Sequence, residues 1–205
     1  MFPLEMVVFP GEALNLHIFE PRYRELINDC RDKEIQFGIP FYRSEHPMKY
    51  GTVVELKEVE KEYDDGRMDI KTTGLYPFEM VRFVKSHPGK SYPGGYIKSM
   101  YWENETDPLL QSEIKEKLEE LYDFMNIKKI PKALKGDFKT FAIAHKVGFT
   151  KEQEYQLLQM TTEFERQRFL ITHLDKMIPM IKQAEEMRKK VQMNGHFKSV
   201  NPPKF

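Results

Sequence analysis

Residues 2–26 have the sequence FPLEMVVFPGEALNLHIFEPRYREL, and this stretch combines three local patterns. The apolar run Met6–Phe9 predicts a short strand, which the Pro-Gly turn dipeptide after it ends. In residues 14–18, apolar and polar residues alternate, as they do in a half-buried strand. Pro21 then suits the first turn of a helix, whose apolar stripe continues to Cys30. The stretch therefore predicts strand, turn, strand and helix in close succession.

The rest of the first half also has the pattern of short strands. Asp64-Asp65-Gly66 lies between two strand-like segments and is a strong hairpin signal. A stretch rich in Gly, Pro and Ser, residues 87–95, separates the last two segments. Many short strands with tight turns and one early helix indicate a small, partly open barrel. The predicted strands cover residues 35–42, 51–62, 67–73, 79–84 and 96–102.

The second half has helical spacing. Asp107 and Pro108 supply an N-cap and a first-turn proline for a helix that extends to about Met125. Two capping boxes, Thr150 with Gln153 and Thr162 with Glu165, predict two further helix starts. Another helix is predicted over residues 134–147, and a long one, kinked at Pro179, over 163–193. The fold class is therefore α+β, with a β-lobe at residues 1–105, a helical lobe at 106–194 and a tail at 195–205.

Composition limits the classes of function. Lys+Arg and Asp+Glu both number 32, so no overall field attracts nucleic acid or membranes. The chain is 40% hydrophobic and has no apolar run long enough to span a bilayer. Its start, MFPLEMVVFP, lacks the basic region of a signal peptide. The single cysteine, Cys30, cannot form an internal disulfide and fits a small core position, so we expect a cytoplasmic protein.

The stretch at residues 2–26 resembles the opening of the Lon protease N-terminal, substrate-binding domain family, whose members have much the same pattern PL-x-x-V-V-F-P-G-x-x-L-x-L-x-I-F-E-P-R-Y. The similarity continues more loosely through Gly51-Thr52, Asp65-Gly66 and Glu79, and reappears in residues 143–170. We interpret the motif itself as fold-specifying rather than catalytic. Its residues are Phe9, Pro10, Gly11, His17, Phe19, Glu20, Pro21, Arg22 and Tyr23; Arg22 is expected to pair with an acidic group across the barrel.

The resemblance implies a PUA-like β pseudo-barrel followed by a C-terminal α-helical bundle. In Lon proteases this domain captures substrate, while separate ATPase and serine–lysine peptidase modules unfold and cut it, and neither module is present here. We therefore expect a non-catalytic protein- or peptide-binding module that works without cofactors. Its expected partners are unfolded or flexible protein segments. A protease or another protein would be a second partner if the chain is an adaptor in proteolysis or quality control.

Aromatic residues near the turns of the β-lobe are the candidate peptide-binding residues. Burying one such side chain contributes roughly 1.5–3 kcal/mol, so a few of them could hold an apolar stretch of another protein. The competing interpretation is that they fill the barrel. The candidates are Phe41, Tyr42, Tyr50, Tyr76, Phe78, Tyr92, Tyr96, Tyr101 and Trp102.

Two other functions have weaker sequence support. Gly89-Lys90-Ser91 has the ending of a phosphate-binding loop, but neither the first glycine nor the following helix is present. The six histidines are scattered, which argues against a metal site. RNA binding is the alternative function, because PUA-like folds can bind RNA and residues 128–151 carry seven lysines against one acid. The basic patch consists of Lys128, Lys129, Lys132, Lys135 and Lys139; a solvated face is its ordinary explanation.

Overall fold

The computed structural model describes residues 1–127 and 136–196, with side chains as far as residue 192. Its first lobe is built from strands and one helix, and its second lobe from helices. The first lobe contains β1 (Ala13–Ile18), α1 (Pro21–Lys33), β2 (Phe37–Arg43), β3 (His46–Glu62), β4 (Met68–Val84) and β5 (Gly94–Ser99). The second contains α2 (Pro108–Phe124), α3 (Thr140–Ile143), a 3-10 turn (Ala144–Lys146), α4 (Lys151–Leu158) and α5 (Glu163–His196).

The sheet is antiparallel in the order β1-β4-β3-β2, and β5 also pairs with β4. Because β4 has 17 residues, its first part pairs with β1 and its last part with β5 on the same side. Gly66, at φ 81°, completes the β3–β4 turn, where Asp65 accepts a hydrogen bond from the backbone N–H of Arg67 at 3.1 Å. The hairpin residues thus supply the left-handed position that this turn requires.

Each lobe has an apolar core of its own. In the β-lobe, α1 packs on the sheet through Tyr23, Leu26 and Ile27, and the rings of Phe2 and Tyr23 lie 4.3 Å apart. Cys30 belongs to this core, where burial raises the pKa of its thiol to about 11. In the helical lobe, α2 packs against α5. The main residues of that contact are Ile114, Leu118, Leu121, Leu170, Leu174 and Ile178.

A third apolar cluster joins the two lobes. Phe9, which is fully buried, stacks on Phe141 with ring centroids 5.0 Å apart. Phe41 of β2 contacts Tyr155 of α4 at 5.2 Å between ring centroids, and Leu157 lies in the same cluster. The turn after Phe9 therefore positions the helical lobe on the sheet.

A buried ion pair lies beside this cluster. The guanidinium of Arg166 donates to Glu163 at 2.8 Å, and neither side chain is exposed. Arg166 also donates to the carbonyl of Met160 at 2.9 Å and to Asn104 Oδ1 at 3.1 Å. Glu163 accepts from the backbone N–H of Thr140 at 2.6 Å. These bonds attach the segment between β5 and α2 to α5.

The α+β organisation, with an antiparallel β-lobe before a helical lobe, is confirmed. So are the first helix and both capping boxes: Gln153 N–H donates to Thr150 and Glu165 N–H donates to Thr162, each at 3.2 Å. The boundary at residues 105–106 stays a prediction. Three local predictions were wrong: residues 6–9 form no strand, 100–102 lie beyond the end of β5, and of 134–147 only 140–146 are helical among the described residues. Residues 79–84 form a strand as predicted, but they continue β4 and are not a separate strand.

Substituting Gly74 by alanine is expected to destabilise the β-lobe by about 1–3 kcal/mol, the usual range for overpacking. A Cβ at this position would lie 2.2 Å from the carbonyl oxygen of Phe9, and backbone has little room to move. Gly89→Ala is the control, because that site is open and carries only the left-handed penalty of about 1–2 kcal/mol. Urea denaturation measures both variants, and an unchanged stability in Gly74→Ala would contradict the close-packing explanation.

Candidate polypeptide-binding surface

The β4–β5 hairpin exposes large apolar side chains on both of its faces. Val81 is 69% exposed, Tyr96 65% and Ile97 37%. Tyr96 and Ile97 are consecutive in a strand, so their side chains point to opposite faces of the sheet. We call these three residues the β5 patch. An edge strand with exposed apolar side chains on both faces is a candidate for an interaction site.

A cleft of about 350 Å³ opens beside one face of β5. Ile97 and Gly95 line it from β5, and Tyr76 lines it from β4. Ile35, 44% exposed, lies at the opposite side, just before β2. We call this the β-lobe cleft. Its volume is at the lower end of the roughly 300–1,000 Å³ of ligand pockets, which is enough for a few side chains.

The loop from 85 to 93 is attached to α1 by Asp29. The Asp29 carboxylate accepts hydrogen bonds from Tyr92 Oη at 2.6 Å, Lys90 Nζ at 2.5 Å and Lys33 Nζ at 2.6 Å. Hydrogen bonds from Lys33, Lys90 and Tyr92 hold the pKa of the Asp29 carboxyl far below its usual range. The amino group of Met1 donates to the Pro93 carbonyl at 2.8 Å, and burial lowers its pKa to about 6. These contacts keep the wall of the cleft in place.

Positive charge surrounds the β5 patch. Residues 74–99 contain one acidic residue, Glu79, against Arg82, Lys85, Lys90 and Lys98. Glu79 is bonded to Lys49 at 2.8 Å, and Lys90 is bonded to Asp29. In the part of the chain that the structure describes, Arg82, Lys85 and Lys98 have no acidic partner within 4.0 Å.

One edge of β5 has no strand beside it. Among residues 1–127 and 136–196, β5 pairs with β4 alone. The outer edge of β2 differs, because the N-terminal segment covers it: Phe2 N–H donates to the Gly38 carbonyl at 2.8 Å, and Tyr42 N–H to the Leu4 carbonyl at 2.7 Å. The apolar patch, the cleft, the cations and an open strand edge thus occur together at β5.

One comparison with known proteins identifies a family. Residues 1–176 match the model of the ATP-dependent protease La (LON) substrate-binding domain. The chain belongs to the Lon substrate-binding domain family. No ATPase or peptidase domain is detected in it. A comparison with curated proteins finds no match.

Two solved structures show that this Lon-type fold is shared. The Lon N-terminal domain protein from Xanthomonas campestris is 23% identical, with a TM-score of 0.62, over 83% of this chain and 95% of that one. The N-terminal domain of the Mycobacterium avium complex Lon protease is 18% identical, with a TM-score of 0.59, over 84% and 96% of the two chains. At these low sequence identities, the similarity to the two structures shows a shared fold and nothing more.

The predicted peptide-binding aromatics divide by burial. Phe41, Phe78 and Tyr92 are at most 7% exposed and form part of the core. Tyr96 and Tyr101 are exposed at 65% and 78%. The structure brings Tyr76 and Tyr92 together at the β-lobe cleft, with Tyr96 on the adjacent strand. The half-buried members are Tyr42, Tyr50, Tyr76 and Trp102.

Sequence reasoning missed the aliphatic part of this surface. Val81, Ile97 and Ile35 were not among the candidates, because aliphatic residues in strands are usually buried. One signal was present: Tyr96 and Ile97 are adjacent apolar residues in a predicted strand, followed by Lys98 and Ser99. In a strand with one solvated face, only one of two adjacent residues has to be apolar. Tyr96 and Ile97 together therefore indicate apolar side chains on both faces.

The Lon family motif has structural contacts throughout. Pro10 is buried, and Gly11 adopts φ 80°. His17 bonds to Asp69 at 2.6 Å across the β1–β4 pair. The prediction that Arg22 pairs with an acidic group across the barrel was wrong. Arg22 instead bonds to Glu20, two residues away, at 2.7 Å. The remaining members also differ in burial: Phe9 and Tyr23 are core residues, Phe19 is 61% exposed, and Pro21 begins α1.

The basic patch lies mostly outside the described residues. This applies to Lys128, Lys129, Lys132 and Lys135. Lys139 is described, and it donates to Thr106 Oγ1 at 2.7 Å and to the Asn104 carbonyl, so it contacts the segment between the lobes. Within the described residues, no group of three His, Cys, Asp or Glu side chains could hold a metal ion. None of the described helices is long and apolar enough to cross a membrane.

A histidine joins the two lobes at a second cleft of about 630 Å³. His145 bonds through Nε2 to Glu12 at 3.2 Å and through Nδ1 to Glu154 at 2.7 Å. Glu12 belongs to the turn after Phe9, and it also accepts the Phe9 N–H at 2.8 Å. The hydrogen bond and charge of Glu12, followed by those of Glu154, raise the pKa of His145 to about 9. His145 is therefore a cation at neutral pH.

Stability is expected to fall as pH rises from about 6.5 to about 9, because His145 has the higher pKa in the folded state. The bonds of protonated His145 to Glu12 and Glu154 contribute fully to stability below the pKa of histidine in the unfolded chain. This contribution is lost as His145 deprotonates in the folded protein. Because a third of the His145 side chain is exposed and solvent screens its charge, we expect the free energy of unfolding to fall by about 1–2 kcal/mol. Denaturation across this pH range measures it. His145→Gln should flatten the slope, whereas His46→Gln, at the exposed first residue of β3, should not. An unchanged slope in His145→Gln would contradict this assignment.

Proposed function

We propose that this Lon substrate-binding domain protein binds unfolded or flexible segments of other proteins through the β5 patch and the β-lobe cleft, without catalysing a reaction. The observation that carries the proposal is the exposure of Val81, Tyr96 and Ile97 at an open strand edge, where Ile97 also lines the β-lobe cleft. Family membership supports it, since the matching family is named for substrate binding.

The size of the surface suits weak capture. Burying the three side chains of the β5 patch contributes roughly 1.5–3 kcal/mol each. Association costs at least about 4 kcal/mol, and micromolar affinity needs about 8 kcal/mol net. The three side chains together contribute about 4.5–9 kcal/mol, which leaves at most about 5 kcal/mol after the cost of association, so apolar contact alone would give a Kd no tighter than about 0.2 mM unless backbone hydrogen bonds add to it. Weak binding with little sequence preference is what a domain that samples many unfolded chains requires.

We propose in addition that the protein is an adaptor in proteolysis or quality control. The β-lobe would hold the client, and the helical lobe would contact a protease or another protein. On α5, Met180, Met187 and Val191 are 69%, 64% and 71% exposed, which supports a second contact surface away from β5. Because the lone cysteine is buried and cannot form an internal disulfide, we propose the cytoplasm as its location.

Binding to reduced, carboxamidomethylated α-lactalbumin tests the proposal, because a protein without its disulfides cannot refold. We expect the unfolded protein to bind, the native protein not to bind, and the affinity to fall by no more than about tenfold between about 50 and 500 mM salt, since only a few exposed charge contacts are screened. RNA binding through the lysines would instead fall steeply with salt. Failure of the unfolded protein to bind, or equal binding of the native one, would contradict the proposal.

A further inference from the structure

We propose that the bound segment adds a β-strand to the outer edge of β5, and that the preferred segments carry apolar residues on one face and acidic residues on the other. This rests on the proposed function and specifies its ligand. Strand addition is a general way in which an open sheet edge recognises an extended peptide, with backbone hydrogen bonds supplying affinity and alternate side chains supplying specificity.

The backbone of β5 has groups available for such a strand. Met100 N–H donates to the Pro77 carbonyl at 3.1 Å, one residue beyond the Phe78–Ser99 pair. Backbone groups alternate in direction along an antiparallel strand, so Lys98 faces β4, whereas Ile97 and Ser99 present their N–H and C=O groups away from it. An unpaired row of this kind is a template for another chain.

β1 is the other strand that pairs only with β4 among the described residues. Its exposed side chains are Ala13, Asn15 and His17, so this edge offers little apolar surface to a ligand. Ile97 of β5, in contrast, lines the β-lobe cleft. The comparison favours β5 as the edge that binds.

The two faces of β5 differ in chemistry. Ile97 is paired with Met80 and faces the cleft together with Gly95, so this face is apolar. Tyr96 is paired with Arg82 and Lys98 with Glu79, and all four share a face, because cross-strand partners and every second residue lie on the same side of a sheet. Glu79 is already bonded to Lys49, so this face keeps a net positive charge. An added strand would therefore place alternate apolar residues toward the cleft and the intervening ones beside Arg82 and Lys98. Acidic residues there would meet cations, whereas lysines would be repelled.

Synthetic peptides of about ten residues, with valine and glutamate alternating, test both parts of the inference. We expect the glutamate peptide to bind about tenfold or more tightly than the same peptide with lysine in place of glutamate. Backbone N-methylation separates strand addition from side-chain contact alone. Methylating the alternate residues whose N–H groups face β5 should weaken binding about tenfold, since two or three hydrogen bonds are lost. Methylating the intervening residues should change the affinity less than about twofold.

The protein variant Arg82→Ser/Lys98→Ser should remove the preference for glutamate over lysine. Lys151→Ser/Lys190→Ser, on exposed helical positions, is the control and should keep it. Circular dichroism and thermal unfolding verify that both variants fold. Equal effects of the two methylation sets, or no preference for glutamate, would overturn the inference even if unfolded α-lactalbumin binds. If α-lactalbumin and both peptides fail to bind the folded protein, the proposed function fails with it.

Discussion

Replacing Arg166 by methionine is expected to lower the free energy of unfolding by about 3–5 kcal/mol, which is the usual cost of removing one partner of a buried pair. The variant would leave the Glu163 carboxylate buried without its cation. It would also remove the bonds from Arg166 to Met160 and Asn104, and the contact of the guanidinium with the Phe141 ring at 4.4 Å. Chemical denaturation followed by circular dichroism measures the loss.

Arg168→Met is the matched control, because Arg168 is exposed on the same helix, two residues further along. Its effect should stay within about 0.5 kcal/mol. In the double variant Arg166→Met/Glu163→Met the unpaired buried charge is absent, so part of the stability should return. If Arg166→Met is as stable as the unmodified protein, the ion pair does not hold the lobes together as described.

Changing Val81, Tyr96 and Ile97 together to serine is expected to weaken binding of unfolded α-lactalbumin by at least about tenfold, because most of the exposed apolar area of the site is removed. The stability of the protein should fall by no more than about 1–2 kcal/mol, since Val81 and Tyr96 are largely in solvent and only Ile97, at 37% exposed, loses packing. Fluorescence anisotropy with labelled α-lactalbumin measures the affinity.

A control with the same amount of exposed apolar surface is available on α5. Met180, Met187 and Val191 have exposures close to those of Val81 and Tyr96. Serine at all three positions should leave binding of unfolded protein within about twofold of the unmodified value. A loss with the α5 variant but not with the β5 variant would move the binding site to the helical lobe.

Features set by neighbouring residues could be predicted from the sequence. The capping boxes at Thr150 and Thr162 and the turn at Asp64-Asp65-Gly66 depend on side chains within three residues of the backbone groups that they satisfy. β4 could not be predicted as one strand, because Gly74 and Pro77 usually interrupt strands. They fit here for tertiary reasons: Gly74 leaves room for the Phe9 carbonyl, and the Pro77 carbonyl accepts the Met100 N–H.

The binding surface was predicted in part. Phe78 and Tyr96 are both aromatic residues in the same hairpin, yet Phe78 is fully buried and Tyr96 is 65% exposed. The difference arises because Phe78 lies where β4 is flanked by both β3 and β5, whereas Tyr96 lies on the edge strand. Strand order is a tertiary property that single-residue patterns do not contain. The buried pair of Glu163 and Arg166 was missed for the same reason, since Asn104 and Thr140 come from distant segments.

The most direct test of the binding surface is hydrogen–deuterium exchange of the full chain with and without unfolded α-lactalbumin. We expect slower exchange in residues 94–99 and 79–84 when the ligand is bound, and unchanged exchange in residues 176–192 of α5. Protection confined to α5, or no protection of β5 at saturating ligand, would contradict the proposed binding surface.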